Sequence, residues 1–210
     1  PEGARIVAST GVNNIPLLVV DDIRAVLGRV SAAIYGNPSY DVPVIGITGT
    51  SGKTTTSYLI ESAFRTAGHS VGMIGTTGSR INGVRVPSSL TTPEAPDLQR
   101  LFATMRDDGV HRIVMEVSSH SLLLGRVGGT RFRIGAFLNL SQDHLDFHHT
   151  MEEYFQAKAR LFTKDSGTCC DRAVICIDDS WGLRMRDIAE ASGCTPAVSY
   201  THLRAHETGR

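Results

Sequence analysis

A glycine-rich turn that carries a lysine and two threonines has the chemistry to hold a phosphate. It lies in GITGTSGKTTT, residues 46–56, between an apolar run suited to a β-strand and a segment suited to a helix. The backbone N–H groups of such a turn and helix N-terminus point at a bound anion. Lys53 would neutralise the β- and γ-phosphates and the Thr54 hydroxyl would reach Mg²⁺, although Ile47 replaces the outer glycine of the full motif. The pattern favours nucleotide binding over an ordinary turn, and leaves kinase, GTPase, ATPase and ligase open.

A second candidate segment, MEVSSHSLLLGR at residues 115–126, carries an acidic residue near its start. Glu116 stands at the carboxyl end of an apolar strand, where open α/β sheets bind ligands and where a carboxylate commonly meets the metal of a phosphate loop. A glutamate inside an apolar strand is costly unless it is paired. The segment therefore favours a metal-binding Glu116 over a strand-end glutamate that reaches water.

A third segment, NLSQDHLDFHH at residues 139–149, is dense in histidine and aspartate. His144 and His148 lie four residues apart, which would suit a two-histidine metal face on a helix and a zinc or di-metal hydrolase. The asparagine, serine and aspartates of the segment are more typical of a turn. A loop that supplies one histidine to a Mg²⁺-phosphate site is the favoured interpretation.

A lysine interrupts the apolar stripe of the segment TMEEYFQAKARLF, residues 150–162. Lys158 either extends its amine outward to water or serves a function inside the protein. Burial would lower its pKa and favour the neutral amine, which can react with CO₂ to give an anionic carbamate. The pattern alone favours the outward-extending lysine.

The composition limits the function classes. The chain has 210 residues, 41% of them hydrophobic, with 21 basic and 21 acidic residues and a formal net charge of zero. This balance predicts neither a nucleic-acid partner nor membrane insertion, since no apolar run approaches the length of a membrane span. The four cysteines lack C-x-x-C spacing, which favours free thiols in a reducing, cytoplasmic environment over disulfides or metal ligation.

Strand and helix patterns alternate from residue 42 onward and predict an α/β fold, with a mostly parallel sheet and helices on both faces. Helices are expected over 54–67, 95–108 and 150–162, and a last helix is expected with Ser180 as its cap and its end near Gly193. Residues 1–40 contain a short strand with no upstream partner and one helix, which suggests the tail of a preceding domain. Residues 200–210 are polar and aperiodic, and are interpreted as a non-native tail.

Five motifs in order resemble the Mur ligase family: GITGTSGKTTT, LTTPEAPDLQ, MEVSSHSL, NLSQDHLDFH and MEEYFQAKARLF. The resemblance covers residues 17–199 and is greatest to actinobacterial members that add a diamino acid. It implies a family of three domains and a phosphate-loop-type central domain. Residues 1–40 would end the UDP-sugar domain and 41–199 would form an incomplete central ATPase domain, with the C-terminal domain absent.

The resemblance implies ATP-dependent amide formation in peptidoglycan synthesis by a monomeric enzyme that uses ATP and Mg²⁺. The partners would be UDP-N-acetylmuramoyl-L-alanyl-D-glutamate and a diamino acid, meso-2,6-diaminopimelate by analogy. The segment alone is expected to bind ATP weakly and not to turn over, because the domain that closes over ATP would be missing. Another Mur ligase, a folylpolyglutamate synthetase and a non-catalytic nucleotide-binding fragment are the alternatives.

The resemblance also implies a role for each motif residue. Lys53 would stabilise the transferring phosphate, and Lys158 would be carbamylated. ATP would be bound by Gly49, Thr50, Ser51, Gly52, Lys53, Thr54 and Thr55. Mg²⁺ would be bound by Thr54, Glu116 and His144. The muramyl-dipeptide would be held by Thr91, Thr92, Ser118 and Arg126.

Overall fold

The computed structural model describes residues 5–8, 16–86 and 90–199. The ten strands in these ranges are β1 Arg5–Ala8, β2 Pro16–Val19, β3 Val44–Thr48, β4 Val71–Gly75, β5 Gly78–Ile81, β6 Val84–Val86, β7 Arg112–Glu116, β8 Phe132–Phe137, β9 Arg172–Cys176 and β10 Thr195–Ser199. The helices are α1 Ile23–Ile34, α2 Pro38–Asp41, α3 Lys53–Thr66, α4 Ala95–Asp107, α5 Ser119–Leu123, α6 Leu145–His148, α7 Met151–Ala159 and α8 Ser180–Ala191, with a 3₁₀ turn at Lys164–Ser166. The predicted tail, 200–210, lies outside the described residues.

Eight strands form one sheet in the order β10-β9-β8-β3-β7-β4-β5-β6. The six strands from β10 to β4 run parallel to one another. β5 and β6 add an antiparallel edge after β4, which the strand–helix alternation did not predict. The predicted α/β fold with a mostly parallel sheet is confirmed.

Helices cover both faces of this sheet because the inner strands are apolar on both sides. On one face, Ile45 and Ile47 of β3 pack with Ile60 and Phe64 of α3. On the other face a larger core joins the sheet to α4, α7 and α8; its helical members include Leu98, Phe102, Met105, Phe155, Met185 and Ala189. Because β8, β3, β7 and β4 are parallel neighbours in the sheet, their carboxyl ends lie side by side at one edge. This edge positions the candidate site.

The N-terminal segment differs from the sequence-based expectation. The strand at Pro16–Val19 was expected to have no upstream partner, and this is wrong, because β2 pairs antiparallel with β1. α1 packs on α4. The approach of α1 to the turn at 125–129 is so close that a side chain on Gly28 would overlap the Gly128 carbonyl. The division of the chain at residue 40 stays a prediction.

Two helix boundaries also differ. α7 ends at Ala159 rather than Phe162, because the backbone of Leu161 and Phe162 turns back with bonds to the carbonyls of Lys158 and Ala159. The cap of α8 is Asp179, whose carboxylate accepts from the N–H of Gly182 at 2.8 Å, and not the predicted Ser180. Within the described ranges no helix has the length and apolar character needed to cross a membrane.

Candidate nucleotide and metal site

The phosphate-loop candidate connects β3 to α3 at the carboxyl edge of the sheet. Gly52 has a φ of 85°, a left-handed conformation that glycine adopts without the cost of a Cβ. Because α3 begins at Lys53, its first free N–H groups face the loop, where helix N-termini bind anions. The predicted strand, loop and helix are thus present, with Thr55 exposed on the first turn.

Two lysines converge on this loop. Lys53 Nζ donates to the carbonyls of Gly49 and Thr50, both at 2.9 Å. Lys158 Nζ, from α7, donates to the same Gly49 carbonyl at 3.0 Å. Lys158 is 1% exposed, so the outward-extending lysine favoured by the pattern alone is wrong.

Burial changes the acidity of Lys158. Burial first, and the positive charge of Lys53 second, lower the pKa of Lys158 to about 7. The face of the Tyr154 ring lies 4.3 Å from Nζ and closes the other side of the amine. A substantial neutral fraction at neutral pH follows, which is the form that reacts with CO₂.

A buried carboxylate faces the first turn of α3. Glu116 is 1% exposed, and its Oε1 accepts from the Thr54 hydroxyl at 2.9 Å. The N–H of Thr76 donates to the same oxygen at 2.9 Å and the Thr76 hydroxyl donates to Oε2 at 3.1 Å. These hard oxygen donors fit Mg²⁺, which prefers one or two carboxylates beside substrate phosphates. Thr54 and Glu116 are therefore together, as the metal prediction requires.

His144, the third predicted metal residue, lies among the side chains of Asp143, His120 and Tyr154. It has a φ of 54° and precedes the single-turn helix α6. Its Nε2 is 3.5 Å from Asp143 Oδ2, and its ring contacts those of His120 and Tyr154. The two-histidine metal face is not formed, because His148 turns inward and its Nε2 lies 2.8 Å from Ser119 Oγ. Among the residues that the structure describes, no three His, Cys, Asp or Glu side chains form a ready metal cluster.

The predicted substrate residues lie next to Glu116. The Thr92 hydroxyl donates to the backbone carbonyl of Glu116 at 2.9 Å, and Thr91 Oγ1 lies 3.2 Å from Thr76 Oγ1. The Ser118 hydroxyl caps α5 by accepting from the N–H of Ser121 at 3.1 Å. Arg126 is separate from this group, with its Nε 2.7 Å from Glu94 Oε1.

The loop after β8 holds the phosphate loop in place. Asn139 accepts from the N–H of Ser51 at 3.0 Å and donates to its carbonyl at 3.1 Å. Thr50 makes a similar pair with Ser141, in which its hydroxyl donates to the Ser141 carbonyl at 3.2 Å and accepts from its N–H at 3.0 Å. Four hydrogen bonds therefore tie the two loops to each other.

Sequence reasoning assigned no role to Thr76 and treated Asn139 only as a turn residue. Thr76 directly follows β4, and Asn139 lies two residues after the end of β8. The rule that polar residues after parallel strands meet at one edge could have found them.

Residues 47–208 match a family model described as the Mur ligase middle domain. The chain belongs to the Mur ligase family. The predicted resemblance is confirmed. Membership rests on more than three quarters of the chain, and it agrees with the strand, loop and helix of the nucleotide site.

Curated Mur ligases from actinobacteria are similar to this chain. A UDP-N-acetylmuramoyl-L-alanyl-D-glutamate--2,6-diaminopimelate ligase from Corynebacterium glutamicum is 64% identical over 174 residues, which cover 83% of this chain and 34% of that protein. The ligase of the same name from Corynebacterium efficiens is 57% identical over 207 residues, which cover 99% of this chain and 39% of that protein. The chain thus spans little more than a third of these relatives' length.

The fold of this chain is also similar to solved structures. The structure of a ligase with the same name has a TM-score of 0.73 at 31% identity, and the match covers 89% of this chain and 38% of that one. Escherichia coli FolC in complex with ADP has a TM-score of 0.61 at 21% identity, covering 82% of this chain and 46% of that one. The second likeness shows the fold alone.

Proposed function

We propose that this chain forms the nucleotide-binding part of an ATP-dependent amide ligase. The ligase joins 2,6-diaminopimelate to UDP-N-acetylmuramoyl-L-alanyl-D-glutamate in peptidoglycan synthesis. The observation that carries the proposal is the convergence of Lys53 and Lys158 on the Gly49 carbonyl, beside the Thr54–Glu116 pair. The names of the Corynebacterium relatives support the choice of substrates.

In the proposed reaction, the substrate carboxylate attacks the γ-phosphorus of ATP and releases ADP. The amine of the diamino acid then attacks the acyl phosphate, and an amide and inorganic phosphate result. Phosphate transfer depends mainly on positioning and on charge stabilisation. The N–H groups at the start of α3 and the Lys53 ammonium supply both, once Lys53 exchanges its two carbonyl acceptors for phosphate oxygens.

Thr54 and Glu116 would hold Mg²⁺, with His144 as a further ligand. The ion would neutralise charge on the phosphates. Thr91, Thr92 and Ser118 would hold the muramyl-dipeptide beside the carbonyl end of β7. Arg126 would bind an acidic group of that substrate in place of Glu94.

Lys158 would act as a carbamate. Its neutral amine forms an N–C bond to CO₂ and its proton leaves to solvent, which converts a buried cation into an anion. That anion faces Lys53 across the Gly49 carbonyl, so it offsets the repulsion between the two lysines. An intact mass heavier by one CO₂ in bicarbonate buffer, lost in Lys158→Met, is the expected result.

Nucleotide binding is tested first, by calorimetry with ATP and Mg²⁺ on the 210-residue chain. Binding is expected for the parent chain and for Lys164→Ala, a variant of an exposed lysine outside the site. Lys53→Ala is expected to lose at least tenfold in affinity, because one charge-assisted phosphate contact disappears. Equal binding by Lys53→Ala would remove the basis of the proposal.

The ligase reaction is tested with residues 42–199 grafted into the matching segment of the Corynebacterium glutamicum relative. ADP release is expected to require both the UDP-muramyl-dipeptide and 2,6-diaminopimelate. The Lys53→Ala graft serves as the inactive control. ADP release driven by a folate and glutamate, and not by the muramyl substrate, would assign the chain to the alternative ligase class.

A further inference from the structure

Thr76 touches both halves of the candidate site. Its N–H and hydroxyl donate to the two carboxylate oxygens of Glu116, at 2.9 and 3.1 Å. Its Oγ1 also lies 3.2 Å from Thr91 Oγ1. Glu116 belongs to the nucleotide and metal half of the site, and Thr91 to the substrate half. Thr76 thus bridges the two.

Contacts from three sides fix the Glu116 carboxylate. Thr54 donates a hydrogen bond to Oε1, and Thr76 donates one to Oε1 and another to Oε2. Behind the carboxylate, a side chain on Gly75 would overlap Oε1, so the end of β4 forms a close-fitting wall. Rotation of the carboxylate would break at least one bond to Thr76. The direction of its remaining lone pairs is therefore set by residue 76.

The single hydroxyl proton of Thr76 also determines whether the Thr91 hydroxyl donates or accepts a hydrogen bond. A carboxylate only accepts, and a charge-assisted bond is about twice as strong as one between neutral groups, so the Thr76 proton goes to Glu116. The Thr91 hydroxyl must then donate to Thr76 Oγ1. The Thr91 oxygen then keeps its acceptor capacity, so Thr91 can accept from an N–H or O–H group of the ligand.

We propose that Thr76 is a positioning residue that orients Glu116 toward the Mg²⁺-nucleotide and fixes Thr91 as a hydrogen-bond acceptor for the muramyl-dipeptide. The inference rests on the proposed function and deepens it. Residues that orient a metal ligand commonly change metal affinity 10- to 100-fold when they are removed. Thr76 acts through Glu116 and Thr91, and makes no contact with the reacting atoms in this scheme.

Three variants separate positioning from general damage. Thr76→Val keeps the backbone N–H and the side-chain shape but removes the hydroxyl, and Thr76→Ser restores the hydroxyl. Thr77→Val is the matched control, because the neighbouring Thr77 hydroxyl bonds to Tyr58 at 2.9 Å and not to Glu116. Thermal unfolding of each metal-free variant checks that the chain is folded before binding is measured.

The readout is calorimetric affinity for ATP, with Mg²⁺ and with EDTA, and affinity for UDP-N-acetylmuramoyl-L-alanyl-D-glutamate. Thr76→Val is expected to weaken Mg²⁺-dependent ATP binding by about tenfold and to leave the metal-free affinity unchanged. It is also expected to weaken muramyl-dipeptide binding severalfold, since Thr91 loses its fixed orientation. Thr76→Ser and Thr77→Val are expected to stay within about twofold of the parent in every measurement.

Two results would overturn the inference while the proposed function stands. The first is a Thr76→Val variant that binds both ligands as the parent does. The second is an equal loss with and without Mg²⁺, which indicates a merely structural role. A parent chain that binds no Mg²⁺-ATP would overturn the proposed function, and this inference with it.

Discussion

The acidity of individual side chains in this site follows from how deeply they are buried. Lys158 is the clearest case, since its pKa lies near 7 rather than 10.5. Lys53 is also shifted downward in pKa by burial, while Glu116 and Asp143 act in the opposite direction. Two poorly solvated amines, Lys53 from α3 and Lys158 from α7, thus face the candidate phosphate loop through the Gly49 carbonyl.

Lys158→Met is expected to stabilise the protein, most strongly at low pH. The unfolded chain holds the lysine proton up to about pH 10.5 and the folded chain only to about pH 7, so burial destabilises the parent below pH 7. The penalty declines as the pH rises from 7 to 10.5, and its full size is on the order of 5 kcal/mol. Urea unfolding in CO₂-free buffer at pH 7 and at pH 9.5 measures the difference.

Lys164→Met is the control for this measurement, because Lys164 is exposed. Its effect on the free energy of unfolding should be small and the same at both pH values. A Lys158→Met effect that does not change between the two pH values would contradict the depressed pKa.

Gly75→Ala should damage the site through Glu116. The added methyl would overlap Glu116 Oε1, and overpacking of this kind costs about 1–3 kcal/mol. The cost should shrink in a Glu116→Ala background, because the clashing group is gone. Urea unfolding of the two single variants and the double variant gives the coupling. Strictly additive effects would show that the carboxylate is not held against β4.

At the scale of elements, one helix contact and two helix ends show what local patterns miss. Sequence patterns predicted α1, α3, α4 and α8, and the pattern is clearest in α4, which buries one stripe that includes Leu98, Phe102 and Met105. The end of α7 depends on how the chain must turn back toward β9, which no local pattern contains. Nothing in the local sequence marks Gly28 of α1, because the turn at 125–129 that it contacts is distant in the chain.

Gly28→Ala is expected to destabilise the protein, against the usual trend for helices. Replacing an exposed helical glycine by alanine usually stabilises the folded protein by about 1 kcal/mol. Here the methyl would overlap the Gly128 carbonyl, so a net loss of about 1–2 kcal/mol is expected. Ala25→Gly, at an exposed position of the same helix, calibrates the propensity. A stabilised Gly28→Ala variant in urea unfolding would mean that α1 does not pack on this turn.

At the scale of the whole molecule, the sheet has a protected centre and a weak edge. β3 is paired on both sides, by β8 and β7, and all its residues are buried. β6 pairs only with β5 and is largely exposed. Hydrogen exchange should therefore be slowest in β3 and faster by orders of magnitude in β6. Equal protection of the two strands in mass spectrometry would contradict this order.

Much of the fold and the glycine-rich loop could be predicted because their signals are local. The apolar strands, Gly52 and Lys53 lie within a few residues of one another. The local pattern alone missed the burial of Lys158, because that burial depends on α7 packing against a loop more than a hundred residues earlier, whereas the family resemblance had already implied a role for this lysine. Thr76 was missed for a similar reason, since its partner Glu116 is its neighbour in the sheet and not in the chain.

The Gly49 carbonyl has a consequence for genetics. It accepts from both Lys53 and Lys158, so these two positions share one acceptor and one local charge balance. A Lys53 variant would remove the proposed phosphate contact and also the positive charge that lowers the pKa of Lys158. The phenotypes of substitutions at the two positions are thus expected to show epistasis. A scan of single variants would therefore assign the wrong contribution to each lysine.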